Sequence, residues 1–80
     1  MQPEEIKRLI ETGLAQANAI VEGDGAHFTA VVISSEFAGK SRLQKQQLVY
    51  ATLNRELLDG TPHAISIKTF TPEEWHSLQK

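Results

Sequence analysis

Hydrophobic residues in the first part of the chain recur at the spacing of one helix face. The apolar positions are Ile6, Leu9, Ile10 and Leu14. Such a repeat is typical of an amphipathic helix that buries one side. Pro3 suits the first turn, where its missing N–H costs nothing, and Gly13 lies near the predicted end. The pattern therefore predicts a helix that begins near Pro3.

Two runs that favour β-structure follow this helix. They cover residues 19–21 and 28–33 and are rich in residues that favour strands, namely valine, isoleucine, threonine and phenylalanine. Between them, Gly23-Asp24-Gly25 offers residues that adopt positive φ in a tight reversal. The sequence therefore predicts an antiparallel hairpin, with His27 at the point where its second strand begins.

A second, longer helix is predicted in the middle of the chain. Ser41 and Gln44 have the spacing of a capping box, in which each side chain binds the backbone N–H of the other residue. Gly60 and Pro62 are suited to end the helix. Its apolar face is predicted from residues at intervals of seven, three and four: Leu43, Tyr50, Leu53 and Leu57.

Residues 64–70 are predicted to form a third strand, followed by a short helix capped by Thr71 with Pro72 in its first turn. Trp75 and Leu78 are expected to attach that helix to the body of the protein. The order is then α-β-β-α-β-α. The predicted fold is an α+β sandwich within the α/β class, a three-stranded mixed sheet with helices packed on one face.

This order brings two histidines together. The second and third strands are joined through the long helix, and a crossover of that length makes neighbouring strands parallel and right-handed. His27 and His63 immediately precede these strands, so both rings are expected at one edge of the sheet. Adjacent strands lie about 4.8 Å apart, close enough for both rings to reach one metal centre or one partner surface.

Each histidine also has a plain structural interpretation. His27 alone is equally compatible with a solvated turn residue, and His63 with a cap on its strand. His76 lies on the exposed last helix and is interpreted as incidental. Two imidazoles do not complete a structural zinc site, which needs four ligands, and no HxxxH or CxxC spacing is present. An incomplete set of ligands suits a site that is shared with a partner.

Composition narrows the range of functions. The 80 residues include no cysteine, so disulfides and thiolate ligands from this chain are excluded. The net charge of −2 argues mildly against binding dominated by nucleic-acid phosphates. The acidic start lacks the apolar region of a signal peptide, and no apolar run reaches the roughly 20 residues that cross a bilayer. A single cytoplasmic domain over residues 1–80, without membrane contact, is expected.

Two segments resemble the BolA family: "FAGKSRLQKQQLVYATL" at residues 37–53 and "HAISIKTFTPEEW" at residues 63–75. The chain is most similar to the branch with histidine instead of cysteine in the hairpin loop. The resemblance implies a fold like a class II KH domain and a monothiol glutaredoxin partner, with which a [2Fe–2S] cluster is shared. A glutaredoxin cysteine and the thiol of glutathione would bind one side of this cluster, and the BolA-like protein the other.

By motif match, His63 corresponds to the family's ligand before the last strand and His27 to its ligand in the hairpin loop. Imidazole in place of thiolate on one iron tends to raise the reduction potential, which suits transfer or sensing. The resemblance thus implies a non-enzymatic iron–sulfur assembly, trafficking or sensing partner, with no cofactor in the isolated protein.

Three cations are candidates for contact with glutathione, an acidic partner or nucleic acid: Lys40, Arg42 and Lys45. The alternative function is a KH-like nucleic-acid-binding transcriptional regulator. Gln46 and Gln47 stand where many BolA proteins have further basic residues, which weakens that alternative. A third possibility is an interaction module without metal. Ser34 and Ser35 lie in no nucleophile-elbow pattern, and an enzyme is not expected.

Overall fold

The computed structural model describes residues 2–23, 27–57 and 64–79, with side chains up to Leu53 in the long helix. The elements, in chain order, are α1 (Pro3–Gly13), β1 (Asn18–Gly23), β2 (His27–Ile33), a 3₁₀ turn (Ser35–Phe37), α2 (Arg42–Leu57), β3 (Ala64–Phe70) and α3 (Pro72–Leu78). This confirms the predicted order of helices and strands.

The strands form one mixed sheet in the order β1-β2-β3. β1 pairs antiparallel with β2, and the register places Gly23 opposite Phe28. β2 pairs parallel with β3, and the register places His27 opposite Ala64. The hairpin and the parallel βαβ unit were both predicted from the sequence. The observed strand pairings confirm the predicted mixed three-stranded sheet.

The hydrophobic core lies between one face of the sheet and the two longer helices. Alternate residues of the strands point to this face because successive side chains of a strand lie on opposite sides. The fully buried members include Ile6 and Ile10 of α1, Phe28, Ala30 and Val32 of β2, and Val49 and Leu53 of α2. Both α1 and α2 thus pack against the core face of the sheet.

The opposite face of the sheet, here called the open face, is less completely covered. Ile20 of β1 is 48% exposed, and Val31, its register partner on β2, is half-buried. At one end of this face, α3 contacts β3 through Phe70 and Trp75, whose ring centroids lie 5.4 Å apart. His27 lies at the other end, because its place in the β2 alternation is opposite to that of buried Phe28.

The predicted apolar face of α2 was partly wrong. Leu53 is buried as expected, but Leu43 is 67% exposed and Tyr50 is 39% exposed. Val49 and half-buried Leu48 pack toward the core in their place. The spacing of seven, three and four selected a neighbouring stripe of the helix, and only contact with α1 and β3 decides which stripe is covered. The side chain of Leu57 lies outside the described part.

Side-chain caps fix the helix starts as predicted. Ser41 Oγ accepts from the Gln44 N–H at 3.2 Å, and Gln44 Oε1 accepts from the Ser41 N–H at 2.9 Å. Thr71 and Glu74 form the same reciprocal pair at the start of α3. Leu78, however, is 61% exposed, so the expectation that it attaches α3 was wrong. Half-buried Trp75 provides the aromatic contact.

The hairpin differs from its prediction at one glycine. Gly23 is the last residue of β1 and pairs with Phe28, so it belongs to the strand and not to a positive-φ turn. Among the described residues, positive φ occurs at Gly39 (φ 74) and Gln16 (φ 49). Asp24 and Gly25 of the predicted turn lie outside the described residues, as do the helix-ending residues Gly60 and Pro62.

No helix within the described ranges is both long enough and apolar enough to span a membrane.

Two side chains of α1 satisfy the backbone of edge strand β1 at Ala19. Glu11 Oε2 accepts from the Ala19 N–H at 2.9 Å, and Lys7 Nζ donates to the Ala19 carbonyl at 2.8 Å. Lys7 and Glu11 also form an ion pair at 2.7 Å. The hydrogen bond from Lys7, followed by that from Ala19, lowers the pKa of Glu11 below its ordinary value of 4.5. The carboxylate of Glu11 therefore helps to dock α1 on the sheet.

Replacing Glu11 with glutamine is expected to lower the free energy of unfolding by about 1 kcal/mol at neutral pH, because the contacts are partly exposed. A depressed pKa stabilises the fold above the unfolded-state pKa, and this contribution is lost as pH falls through the folded-state pKa. Urea denaturation across acidic pH should thus show wild type and E11Q converging. A stability difference that persists at the acid end would contradict this role.

Candidate functional site

His27 is the first residue of β2, and its side chain is exposed. The Nε2 atom of its ring lies 3.3 Å from Ser66 Oγ on β3. Both residues have open-face positions in their strands, and Ser66 is the register partner of Thr29, two positions beyond His27. The ring is therefore placed over the parallel β2–β3 pair, at the end of the sheet where both strands begin.

His63 lies outside the described residues, but its covalent neighbour Ala64 is described. Ala64 begins β3 and is the register partner of His27. The two strands thus start side by side, as the sequence predicted. The juxtaposition of the two rings stays a prediction.

Within the described ranges, no group of three or more histidine, cysteine, aspartate or glutamate side chains is placed to hold a metal ion. His27 is the only candidate ligand from the sequence that falls in this part. His76, on α3, is exposed and lies in the last turn, where a cation suits the helix dipole.

The three candidate cations do not form one patch. Lys40 lines a pocket of about 270 Å³ with Gln44, Gln47, Leu48 and Ala51. Arg42 and Lys45 line a different pocket of about 310 Å³, together with Gln46, Ile67, Lys68 and Thr69. α2 thus separates Lys40 from the other two, and Lys68 of β3 joins them. We call the second cavity the α2–β3 pocket.

Ser34 has a structural role. It is fully buried, its hydroxyl donates to the Ala15 carbonyl at 2.9 Å, and its oxygen accepts from the Glu36 N–H at 3.1 Å. Glu36 in turn accepts from the Ala15 N–H at 2.6 Å. These bonds fix the turn after β2 against the segment between α1 and β1. Both partners of the hydroxyl are backbone groups, so Ser34 is accounted for without any catalytic role.

Two residues near these sites were missed by the sequence reasoning. Ser66 and Lys68 occupy alternate positions of β3, and that alternation was the available signal for placing them on one side of the strand. Ser66 lies beside His27, and Lys68 lines one pocket with the α2 cations because β3 is an edge strand; these neighbours come from distant parts of the chain. Only the parallel register and the packing of α2 reveal these pairings.

Comparison with known proteins agrees with this fold. Residues 3–74 match the family model described as BolA-like protein. The chain is 40% identical over 75 residues to the acid stress protein IbaG of Escherichia coli K12, covering 94% of this chain and 89% of that protein. It is 39% identical to human BolA-like protein 1 over 94% of this chain and 52% of that protein.

Solved structures show the same relationship. A BolA protein homologue from Coxiella burnetii superposes with a TM-score of 0.84 at 42% identity, covering 95% of this chain and 97% of that chain. BolA1 from Arabidopsis thaliana gives a TM-score of 0.75 at 28% identity, covering 90% and 93%. On sequence and on fold, this chain belongs to the BolA family.

Proposed function

We propose that this protein is a non-enzymatic partner in iron–sulfur cluster assembly, trafficking or sensing. In this proposal it binds a monothiol glutaredoxin and shares a [2Fe–2S] cluster with it through His27 and His63. The observation that carries the proposal is the parallel register of His27 with Ala64, the residue that follows His63. Because of this register, β2, which begins with His27, and β3, which directly follows His63 in the chain, start side by side.

The donor set of the chain fits one half of such a cluster. A [2Fe–2S] cluster takes four terminal ligands, two on each iron, and two histidines replace two cysteines on one iron in Rieske centres. The chain has two histidines next to the starts of β2 and β3 and has no cysteine. Two imidazoles would supply the two terminal ligands of one iron, and two thiolates from outside this chain would supply those of the other.

The position of His27 suits a ligand that a partner must reach. The side chain is exposed at one end of the sheet, and the hydrogen bond with Ser66 engages its Nε2. Histidine ligands are commonly oriented by a hydrogen bond at the ring nitrogen that does not bind metal. A glutaredoxin cysteine and glutathione would supply the thiolates, so the cluster would form only in the heterocomplex.

Co-purification with a monothiol glutaredoxin and glutathione tests this function. We expect a red heterocomplex with the visible absorption and circular dichroism of a [2Fe–2S] centre. H27A and H63A should each reduce the retained cluster by about tenfold or more, because altering even the outer shell of a metal site costs about 10–100-fold. Iron analysis and the visible spectra provide the measurement.

His76→Ala is the matched control, because it removes an exposed imidazole from α3. It should retain the wild-type cluster content. Far-ultraviolet circular dichroism of each apo variant checks that the fold is kept. A wild-type complex without iron would identify a metal-free interaction module. An unchanged spectrum in H63A would show that the ligand assignment is wrong.

The alternative function, a nucleic-acid-binding regulator, finds one specific support in the α2–β3 pocket. Arg42 and Lys45 share this cavity with a third cation, Lys68. Binding to nucleic acid would fall steeply with salt, because it releases counterions from the phosphates. The net charge of −2 and the separate position of Lys40 make this the weaker proposal.

A further inference from the structure

The lining of the α2–β3 pocket contains three cations and, among the residues that the structure describes, no acidic one. Its lining consists of Arg42, Lys45, Gln46, Ile67, Lys68 and Thr69, and its volume is about 310 Å³. Across the described residues, the one ion pair within 4.0 Å joins Lys7 and Glu11, in another part of the molecule. No carboxylate of the described residues therefore lies within 4.0 Å of these cations, in a protein whose net charge is negative.

Regular secondary structure forms both walls of this pocket. Arg42 and Lys45 are three residues apart on α2 and so share one face of that helix. Gln46 Nε2 donates to the Ile67 carbonyl at 3.2 Å and ties this part of α2 to the edge of β3. That bond also occupies the edge carbonyl that an added β-strand would use. The pocket therefore suits a compact ligand better than an extended peptide strand.

Glu74 of α3 interacts electrostatically with one of these cations, Lys45. Its carboxylate accepts from the Thr71 N–H at 2.8 Å, so it serves the cap of α3. This backbone bond is the largest cause that lowers the pKa of Glu74, and the charge of Lys45 contributes less. The positive charge of Lys45 thus acts on the Glu74 carboxylate, but the two groups do not form an ion pair within 4.0 Å.

We propose that the α2–β3 pocket binds a phosphate group through Arg42, Lys45 and Lys68. Guanidinium binds phosphate oxygens in a bidentate manner, and lysines act as point charges. The cavity volume of about 310 Å³ leaves room for a phosphate group. The expected ligand is a phosphate ester, from a small phosphorylated molecule or from a nucleic-acid backbone.

Two probes distinguish these sources: adenosine monophosphate, and an oligothymidine of roughly 12 nucleotides without terminal phosphates. Binding is followed by backbone amide shifts in NMR spectra of the apo protein, with adenosine as the uncharged control. Saturable shifts are expected at the pocket residues on α2 and β3. K45Q and K68Q should each weaken binding about tenfold, and R42K should weaken it through loss of the bidentate contact.

Lys40→Gln is the matched control, because it removes an exposed cation that lines the other pocket. It should change affinity less than about twofold. Saturation by the nucleotide alone identifies a small ligand, and saturation by the oligonucleotide alone identifies a nucleic-acid backbone. Equal losses in K40Q and K45Q, equal binding of adenosine, or no saturation by either probe would overturn the proposal. The apo readout is independent of any cluster bound by His27 and His63.

Discussion

Replacing Phe28 with alanine is expected to lower the free energy of unfolding by about 3–5 kcal/mol. Phe28 is fully buried on the central strand, and its ring packs in the core between the sheet and the two longer helices. A domain of 80 residues has a total stability of roughly 4–12 kcal/mol. This one truncation would therefore remove a large part of it.

Urea denaturation followed by far-ultraviolet circular dichroism measures this loss. Val31→Ala is the matched control, because Val31 lies on the same strand but is half-buried on the open face. It should cost about 1 kcal/mol or less. A loss below about 1.5 kcal/mol in F28A would contradict the core position of the ring. Phe28 also follows His27 directly, so its packing holds the candidate ligand at the start of β2.

The elements that the sequence predicted well are those specified by local chemistry. The capping pairs Ser41–Gln44 and Thr71–Glu74 form as expected because the residues that satisfy each helix end are only three positions apart. The strands followed from β-branched and aromatic runs, and their pairing followed from the lengths of the connections. These signals need no knowledge of distant packing.

The errors arose where tertiary contacts choose among local alternatives. Leu43 and Tyr50 are apolar at helical spacing, yet α2 buries Val49 and Leu53 because α1 and β3 meet that side. Spacing alone does not determine which stripe of a helix is covered. Leu78 was misjudged for a related reason, since Trp75 is the residue of α3 with the aromatic contact to Phe70.

The candidate sites divide in the same way. The position of His27 at the start of β2 followed from the turn pattern, and topology placed it beside the residue next to His63. Ser66, Lys68 and the separation of Lys40 from Arg42 required the register and the packing of α2. Lys40 lies in the turn before α2, whereas Arg42 is the first residue of that helix, so the two cations line different cavities although they are close in sequence.

Replacing Gly23 with alanine is expected to destabilise the protein by about 2–3 kcal/mol, although alanine ordinarily favours a strand over glycine. A Cβ at Gly23 would overlap Cδ1 of Phe28, its register partner, and would lie 2.8 Å from Cε1 of that ring and 2.9 Å from the His27 carbonyl. The ring is fully buried and cannot move aside without disturbing the core.

A double-mutant cycle with F28A isolates this contact. In the F28A background, G23A should lower the free energy of unfolding by about 1–2 kcal/mol less than it does in wild type. The cost that remains reflects the contact with the His27 carbonyl. Sulfate, which strengthens apolar burial, keeps the double variant folded during urea denaturation. Gly39→Ala is the control: nothing lies within 4 Å of its added Cβ, so its cost of about 1–2 kcal/mol arises from positive φ alone. Its cost should be the same with and without the Phe28 ring. If Gly23→Ala also shows no coupling to Phe28, the close approach of strand and ring is not the reason that glycine is required in β1.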